Sequence, residues 1–125
     1  SGRYFFIQSR GEHSGRPLKE PIPNCYVIQL LQPDKFSHLY WLTYSIYKTK
    51  GFRPYLIGSV IPFIRIRDCK MLLNQAAETL QENPAVVSKS IALLMDIEKK
   101  RSHFAKVLHH VDILHEAILL SILRK

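Results

Sequence analysis

The sequence predicts an α+β fold: a small sheet with one or two packed short helices and a long C-terminal helix. Three observations carry that expectation. Two apolar, β-prone runs, Tyr4 to Ile7 and Cys25 to Leu31, flank a loop rich in Gly and Pro. Apolar residues then recur at helical spacing, around Leu39 to Ile46 and again around Leu72 to Leu80. From Pro84 to Leu123 no residue breaks a helix.

Taken in order, Arg3 to Gln8 reads as a buried strand through Tyr4, Phe5, Phe6 and Ile7, and Cys25 to Leu31 as a second strand. Pro33-Asp34-Lys35 stops it, and Ser37 is suited to cap a helix whose apolar face is Leu39, Leu42, Ile46 and Tyr47. Gly51 falls where a helix C-terminus wants a glycine. Ser59 to Ile66 is β-branched and apolar enough for a third strand, which Pro62 confines to an edge or to an irregular extended segment. Asp68 then caps a helix running to about Gln81, with Leu72, Leu73, Ala76, Ala77 and Leu80 on one side.

Asn83 and Pro84 suit the N-cap and first position of the last helix, where the missing proline N–H does no harm. About forty residues at ~1.5 Å each make a rod of roughly 60 Å, longer than a domain of this size is wide. Phe104, Val107, Leu108, Val111, Leu114, Ile118 and Ile122 form an apolar stripe at alternating three- and four-residue steps. A partner helix, from a second copy or another subunit, is expected to cover it. The alternatives are that the rod folds back or breaks near Lys99-Lys100-Arg101. The expected division is therefore residues 1–83 as a short α+β domain and 84–125 as a helix for dimerisation or partner docking.

The chain has 46% hydrophobic and 22% charged residues, the balance of a globular domain rather than a disordered or fibrous one. It lacks the charged-then-apolar opening of a signal peptide and any run long enough to span a membrane, so a cytoplasmic location and no membrane partner are expected. Cys25 and Cys69 have no C-x-x-C spacing, which predicts two reduced, buried thiols and no metal. His109-His110 and His115-Glu116 do not make an H-E-x-x-H pattern. The net charge is +8 and is uneven: residues 1–67 hold ten Lys/Arg against Glu12, Glu20 and Asp34, a net +7. A basic surface of that kind speeds encounter with polyanions.

Several segments in this order resemble a target-recognition half of the specificity subunit of type I restriction-modification enzymes. They are Ser9-Arg10-Gly11 with Gly15-Arg16, the run Cys25 to Leu31, the aromatic helix segment Leu39-Tyr40-Trp41-Leu42, Gly58-Ser59-Val60-Ile61-Pro62-Phe63-Ile64, and Asp68. The rod, with Asp96 to Arg101 and Ile113 to Leu119, is similar to that family's "conserved region" helix. The resemblance covers roughly Ser9 to Lys125, with residues 1–83 as a truncated recognition domain. The family's proline-rich link is replaced here by an acidic helix from Leu72 to Pro84. What the resemblance implies is a non-catalytic, sequence-specific subunit for double-stranded DNA, without a cofactor of its own, delivering methyltransferase and nuclease subunits.

The residues expected to contact DNA are Arg10, Arg16, Lys19, Arg53, Arg65 and Arg67. Arg10 and Arg16 flank glycines in a loop, and Arg65 and Arg67 share strand parity, which projects them from one face. Arg10, Arg16 and Arg53 are the expected base readers; Lys19, Lys48 and Lys50 are the expected phosphate partners. Ser9 and His13 add polar contacts. Tyr40, Trp41, Tyr44 and Tyr47 offer base stacking, although aromatics beside an apolar stripe more often pack in a core or interface. Catalysis finds no support: Ser59 has no His and Asp partners, and Gly11-x-x-x-Gly15 lacks the ending of a phosphate-binding loop. The competing class is an interaction protein that keeps this scaffold without base readout.

Overall fold

The computed structural model describes residues 4–124 and has the α+β architecture. Arg3, assigned above to the first strand, lies outside the described residues. The chain forms two compact units, residues 1–88 and 89–125.

In the first unit, β1 (Tyr4–Gln8) is the central strand of a three-stranded antiparallel sheet, between β2 (Pro17–Leu18) and β3 (Cys25–Gln29). Register follows from side-chain parity. Phe5 faces Ile28 and Ile7 faces Tyr26, and this half of each pair sits on the core side, with Phe5 and Ile7 fully buried. The other parity carries Tyr4 and Val27 to the exposed face. β3 ends two residues short of Leu31, which is exposed.

A 3-10 turn (Pro33–Lys35) leads directly into α1 (Phe36–Lys48), so the N-cap is Lys35 rather than Ser37, and no side chain caps it. Proline at the start of that turn is the reason the helix begins early, because its fixed φ suits a helical first turn. At the other end, Lys50 takes the left-handed conformation (φ 64°), its N–H donates to the Tyr47 carbonyl, and the Gly51 N–H donates to the Ile46 carbonyl. This 6→1 and 5→2 closure puts Gly51 one place beyond its expected position. Against β1, α1 lays Phe36 and Tyr40, whose rings meet Phe5 at 5.9 and 5.6 Å.

The expected third strand is corrected. β4 (Leu56–Ile57) and β5 (Phe63–Ile64) form a two-residue antiparallel ribbon, and residues 58–62 between them are a turn. Its positive-φ Gly58 and its Pro62, which has no donor, outweigh the β-branched composition. Long-range bonds hold the ribbon: the Gly11 N–H donates to the Pro62 carbonyl at 2.7 Å, and the Ile64 N–H donates to the Ser9 carbonyl at 2.9 Å.

α2 (Ile66–Glu82) begins two residues before Asp68, with Arg65 as N-cap and no side-chain cap. Asp68 is instead a buried carboxylate in the first turn, paired with Arg65 Nε at 3.1 Å. Acidic charge near a helix N-terminus is favourable, which accounts for its place there without a cap bond. Cys69, Leu72, Leu73, Ala76 and Leu80 supply the buried face. Cys69 is fully buried as expected, whereas Cys25 is only half-buried at the end of β3.

α3 (Pro84–Leu123) is one unbroken helix, with Lys100 bound to Asp96 at 3.0 Å where a break was considered. Its opening bond runs from the Val87 N–H to the Asn83 carbonyl. No helix is long and apolar enough to cross a membrane among the described residues.

Burial pushes the Cys69 thiol up from 9.0 to about 11, and it raises the Tyr40 hydroxyl as well. Tyr26 is raised by burial and then by the nearby Cys69. The unfolded chain ionises Cys69 first, so the stability it contributes is complete below pH 9 and is lost as pH rises from 9.0 toward 11, and the raised tyrosines act in the same direction at higher pH. The urea midpoint is therefore expected to fall across that window; a midpoint constant from pH 8.5 to 11 contradicts this account.

Candidate functional site

The loop after β1 turns back on itself through Gly11 and Gly15, both at positive φ. Its bonds are dense: the Gly15 N–H donates to the Gln8 carbonyl at 2.7 Å, and the buried Ser14 hydroxyl donates to the Gly11 carbonyl at 2.7 Å. This fixes Glu12 and His13 opposite the C-terminus of α1, where His13 Nδ1 lies 2.9 Å from the Tyr47 hydroxyl. Between loop and helix end is a cleft of ≈ 550 Å³. Phe52, almost fully buried, and Leu56 and Pro62 supply its apolar lining; Lys48, Lys50 and Arg53 supply positive charge.

The electrostatics of this cleft favour an anion. Three cations face one carboxylate, Glu12. The ion pairs of Arg65 with Asp68 and of Lys100 with Asp96 lie elsewhere. Cations left unneutralised in a concavity focus the field and raise the local concentration of anions. Lys48 Nζ also sits 5.8 Å from the Tyr44 ring centroid, which steadies a long side chain without consuming its charge.

The six expected DNA contacts do not converge. Arg53 is in the cleft and exposed. Arg10 is exposed in a second depression, with Ser9, Asn24, Tyr26, Ile61 and Phe63. Arg67 lines a third, on α2, with Lys70, Asn74 and Glu78. Arg65 and Arg67 share no strand: Arg65 precedes α2 and is held by Asp68, and Arg67 is within the helix. Arg16 is turned inward. Its Nη2 donates to Gln8 Oε1 at 2.9 Å, the same Gln8 amide donates to the Arg10 carbonyl, and its Nε is buried without a partner. Lys19 lies over the Tyr40 ring, 5.5 Å from the centroid.

Among the aromatics, Tyr40 is committed to the core cluster and Trp41 packs edge-on against Tyr44 at 5.2 Å, which is packing rather than a stacking platform. Tyr47 has a part in the cleft that no local pattern announces, since His13 and Tyr47 are 34 positions apart. Lys48 and Lys50, read as phosphate partners from their chemistry, are the two sequence-predicted cations that join Arg53. No group of three metal-ligating side chains comes together among the described residues.

A model described as a family of unknown function (DUF6943) matches residues 1–121. No curated protein and no solved structure compared with the chain matches it.

Proposed function

The chain belongs to the DUF6943 family, whose function is unknown, and we propose that it is a non-catalytic module that binds double-stranded DNA along the phosphate backbone. The observation that supports this reading is the cleft in which Lys48, Lys50 and Arg53 stand without a neutralising ion pair. Ammonium groups act as point charges for phosphate, and the guanidinium adds a forked donor. The apolar floor lowers the local dielectric and strengthens each contact. With Arg16, one of the three expected readers, bound to Gln8, backbone contact has more support than base readout.

Sequence-specific recognition within a type I restriction-modification complex, with methyltransferase and nuclease partners, is the more demanding form of this proposal. It draws on Arg10 and Arg53, the expected readers whose side chains are exposed and outside any ion pair.

One titration series tests both. Affinity for a mixed-sequence duplex, followed by fluorescence anisotropy, is expected to fall with salt at a slope of ~0.9 per phosphate contacted. The triple variant Lys48→Gln, Lys50→Gln, Arg53→Gln is expected to reduce that slope by roughly 2 to 3. Wild-type protein without salt-sensitive binding, or a triple variant with an undiminished slope, defeats the proposal. For base readout, Arg53→Lys is expected to retain most non-specific affinity and to lose a preference of ~1 to 3 kcal/mol between duplexes. An identical ranking by wild type and variant removes Arg53 as a reader.

A further inference from the structure

The turn between β4 and β5 carries apolar side chains that the core does not use. Val60 is 89% exposed, and Ile61 and Phe63 beside it are exposed as well. Single exposed apolar residues are ordinary on a protein surface, but three within four positions, with no charge among residues 58–64, have the character of a contact surface. The turn is also fixed. Gly58 is at φ +106°, and a Cβ there would lie 2.6 Å from the Ile61 carbonyl oxygen, so the chain folds tightly on itself. The Pro62 carbonyl accepts from the Gly11 N–H at 2.7 Å, and the Ile64 N–H donates to the Ser9 carbonyl at 2.9 Å. The apolar tip therefore stands on a firmly held base.

Cations stand on both sides of it. Consecutive side chains of an extended chain point in opposite directions. Pro62 joins the cleft lined by Lys48, Lys50 and Arg53, whereas Ile61 and Phe63 line the separate depression that holds Arg10. A convex apolar tip between two basic hollows fits a partner with an apolar interior between two rows of anions. The minor groove of a duplex is such a partner: stacked base pairs form its floor, and a sugar–phosphate backbone runs along each wall. Proteins that enter this groove insert Ile, Leu, Phe, Met or Pro side chains between base pairs, and the cost of unstacking is offset by the extra surface that the bent duplex wraps. A bilayer fits less well, because its headgroups lie in one plane and would meet the tip before they reached cations that line a cleft.

We infer that residues 58–62 form a wedge that enters the minor groove and opens one base step with Val60 and Ile61, bending the duplex, while Lys48, Lys50 and Arg53 hold one backbone and Arg10 holds the other. This rests on the duplex-binding reading above and adds to it the groove, the mode of entry and a change in the DNA. Base steps that unstack at low cost, TA among them, are then favoured over a stiff A-tract. Such a preference needs no arginine reader, so it does not depend on Arg16, whose guanidinium is held by Gln8.

The test uses the full chain and two short duplexes with a dye at each end, one with a central TA step and one with a central A-tract. Energy transfer reports the bend, and anisotropy at several salt concentrations reports the phosphate contacts. Wild type is expected to raise energy transfer on the TA duplex by an amount that corresponds to a bend of ~20 to 90°, and to bind it roughly tenfold more tightly than the A-tract. Val60→Ser with Ile61→Ser is expected to keep the salt slope and to lose both the bend and the preference. Both side chains are exposed, so circular dichroism and the urea midpoint should match wild type. Salt-sensitive binding by wild type without a bend overturns the wedge and leaves the backbone reading standing, and so does a double variant that bends DNA as wild type does. Wild type without salt-sensitive binding removes both. Phosphatidylserine vesicles are the remaining arm: binding to them that depends on Val60 and Ile61, with no bend in the duplex, assigns the tip to a membrane surface and overturns the inference.

Discussion

Gly15→Ala is expected to lower the stability of the first unit by about 2 to 4 kcal/mol, a large fraction of the ~5 to 15 kcal/mol that holds a typical domain together. Two costs coincide at this position. The backbone is at φ +96°, where an L side chain is strained by roughly 1 kcal/mol. A Cβ there would also fall on the ring of Phe52, and Phe52 is 2% exposed, with nowhere to retreat. Gly11→Ala is the internal control. It has nearly the same φ, +98°, but its Cβ would meet nothing nearer than the Gln8 amide nitrogen at 3.5 Å, so only the conformational cost applies. Urea unfolding is expected to show a much lower midpoint for Gly15→Ala than for Gly11→Ala, with similar slopes. Equal midpoints mean that Phe52 can yield. Because the same loop carries Glu12, His13 and Ser14, Gly15→Ala should also weaken duplex binding under conditions where the chain still folds.

The second large effect is expected on α3. Val111→Asp together with Ile118→Asp should abolish self-association. Each side chain contributes on the order of 1.5 to 3 kcal/mol when it is buried, and each copy loses both. The new carboxylates add a desolvation cost, since they would be buried without partners. Sedimentation should give a monomer, and circular dichroism at low concentration should show loss of helix beyond the first unit, because an unpartnered helix is marginal in water. Association that survives both substitutions places the interface elsewhere.

The expectations from the sequence held where a single element's own residues decide its structure. Tyr4 to Ile7 is a β-prone run and forms the central strand, with Phe5 and Ile7 buried, although Tyr4, read as buried with them, is exposed. Leu72, Leu73, Ala76 and Leu80 recur at helical spacing, and they are the buried face of α2. The length of α3 follows from Pro84 at its first position and the absence of any breaker up to Leu123. These are local matters: backbone propensity and the period of apolar residues are contained within a few turns or a few residues of strand.

Only the tertiary structure decided the turn at residues 58–62 and the company kept by each cation. Ser59 to Ile66 has strand composition, yet hydrogen bonds from Gly11 to Pro62 and from Ile64 to Ser9, across about fifty positions, hold it as a short ribbon and release Arg65 and Arg67 from strand parity. Arg16 was indistinguishable from Arg10 in its glycine-flanked setting, but folding brings Gln8 to its guanidinium and leaves Arg10 exposed. The cleft likewise depends on a loop at residues 12–14 meeting a helix end at 47–53. The α+β class, the strand and helix periods and the excess of basic charge are therefore properties of the chain itself. Which charges are left free to bind is a property of contacts between segments far apart in sequence, because an ion pair or hydrogen bond is settled by distances of about 3 Å that no residue pattern encodes.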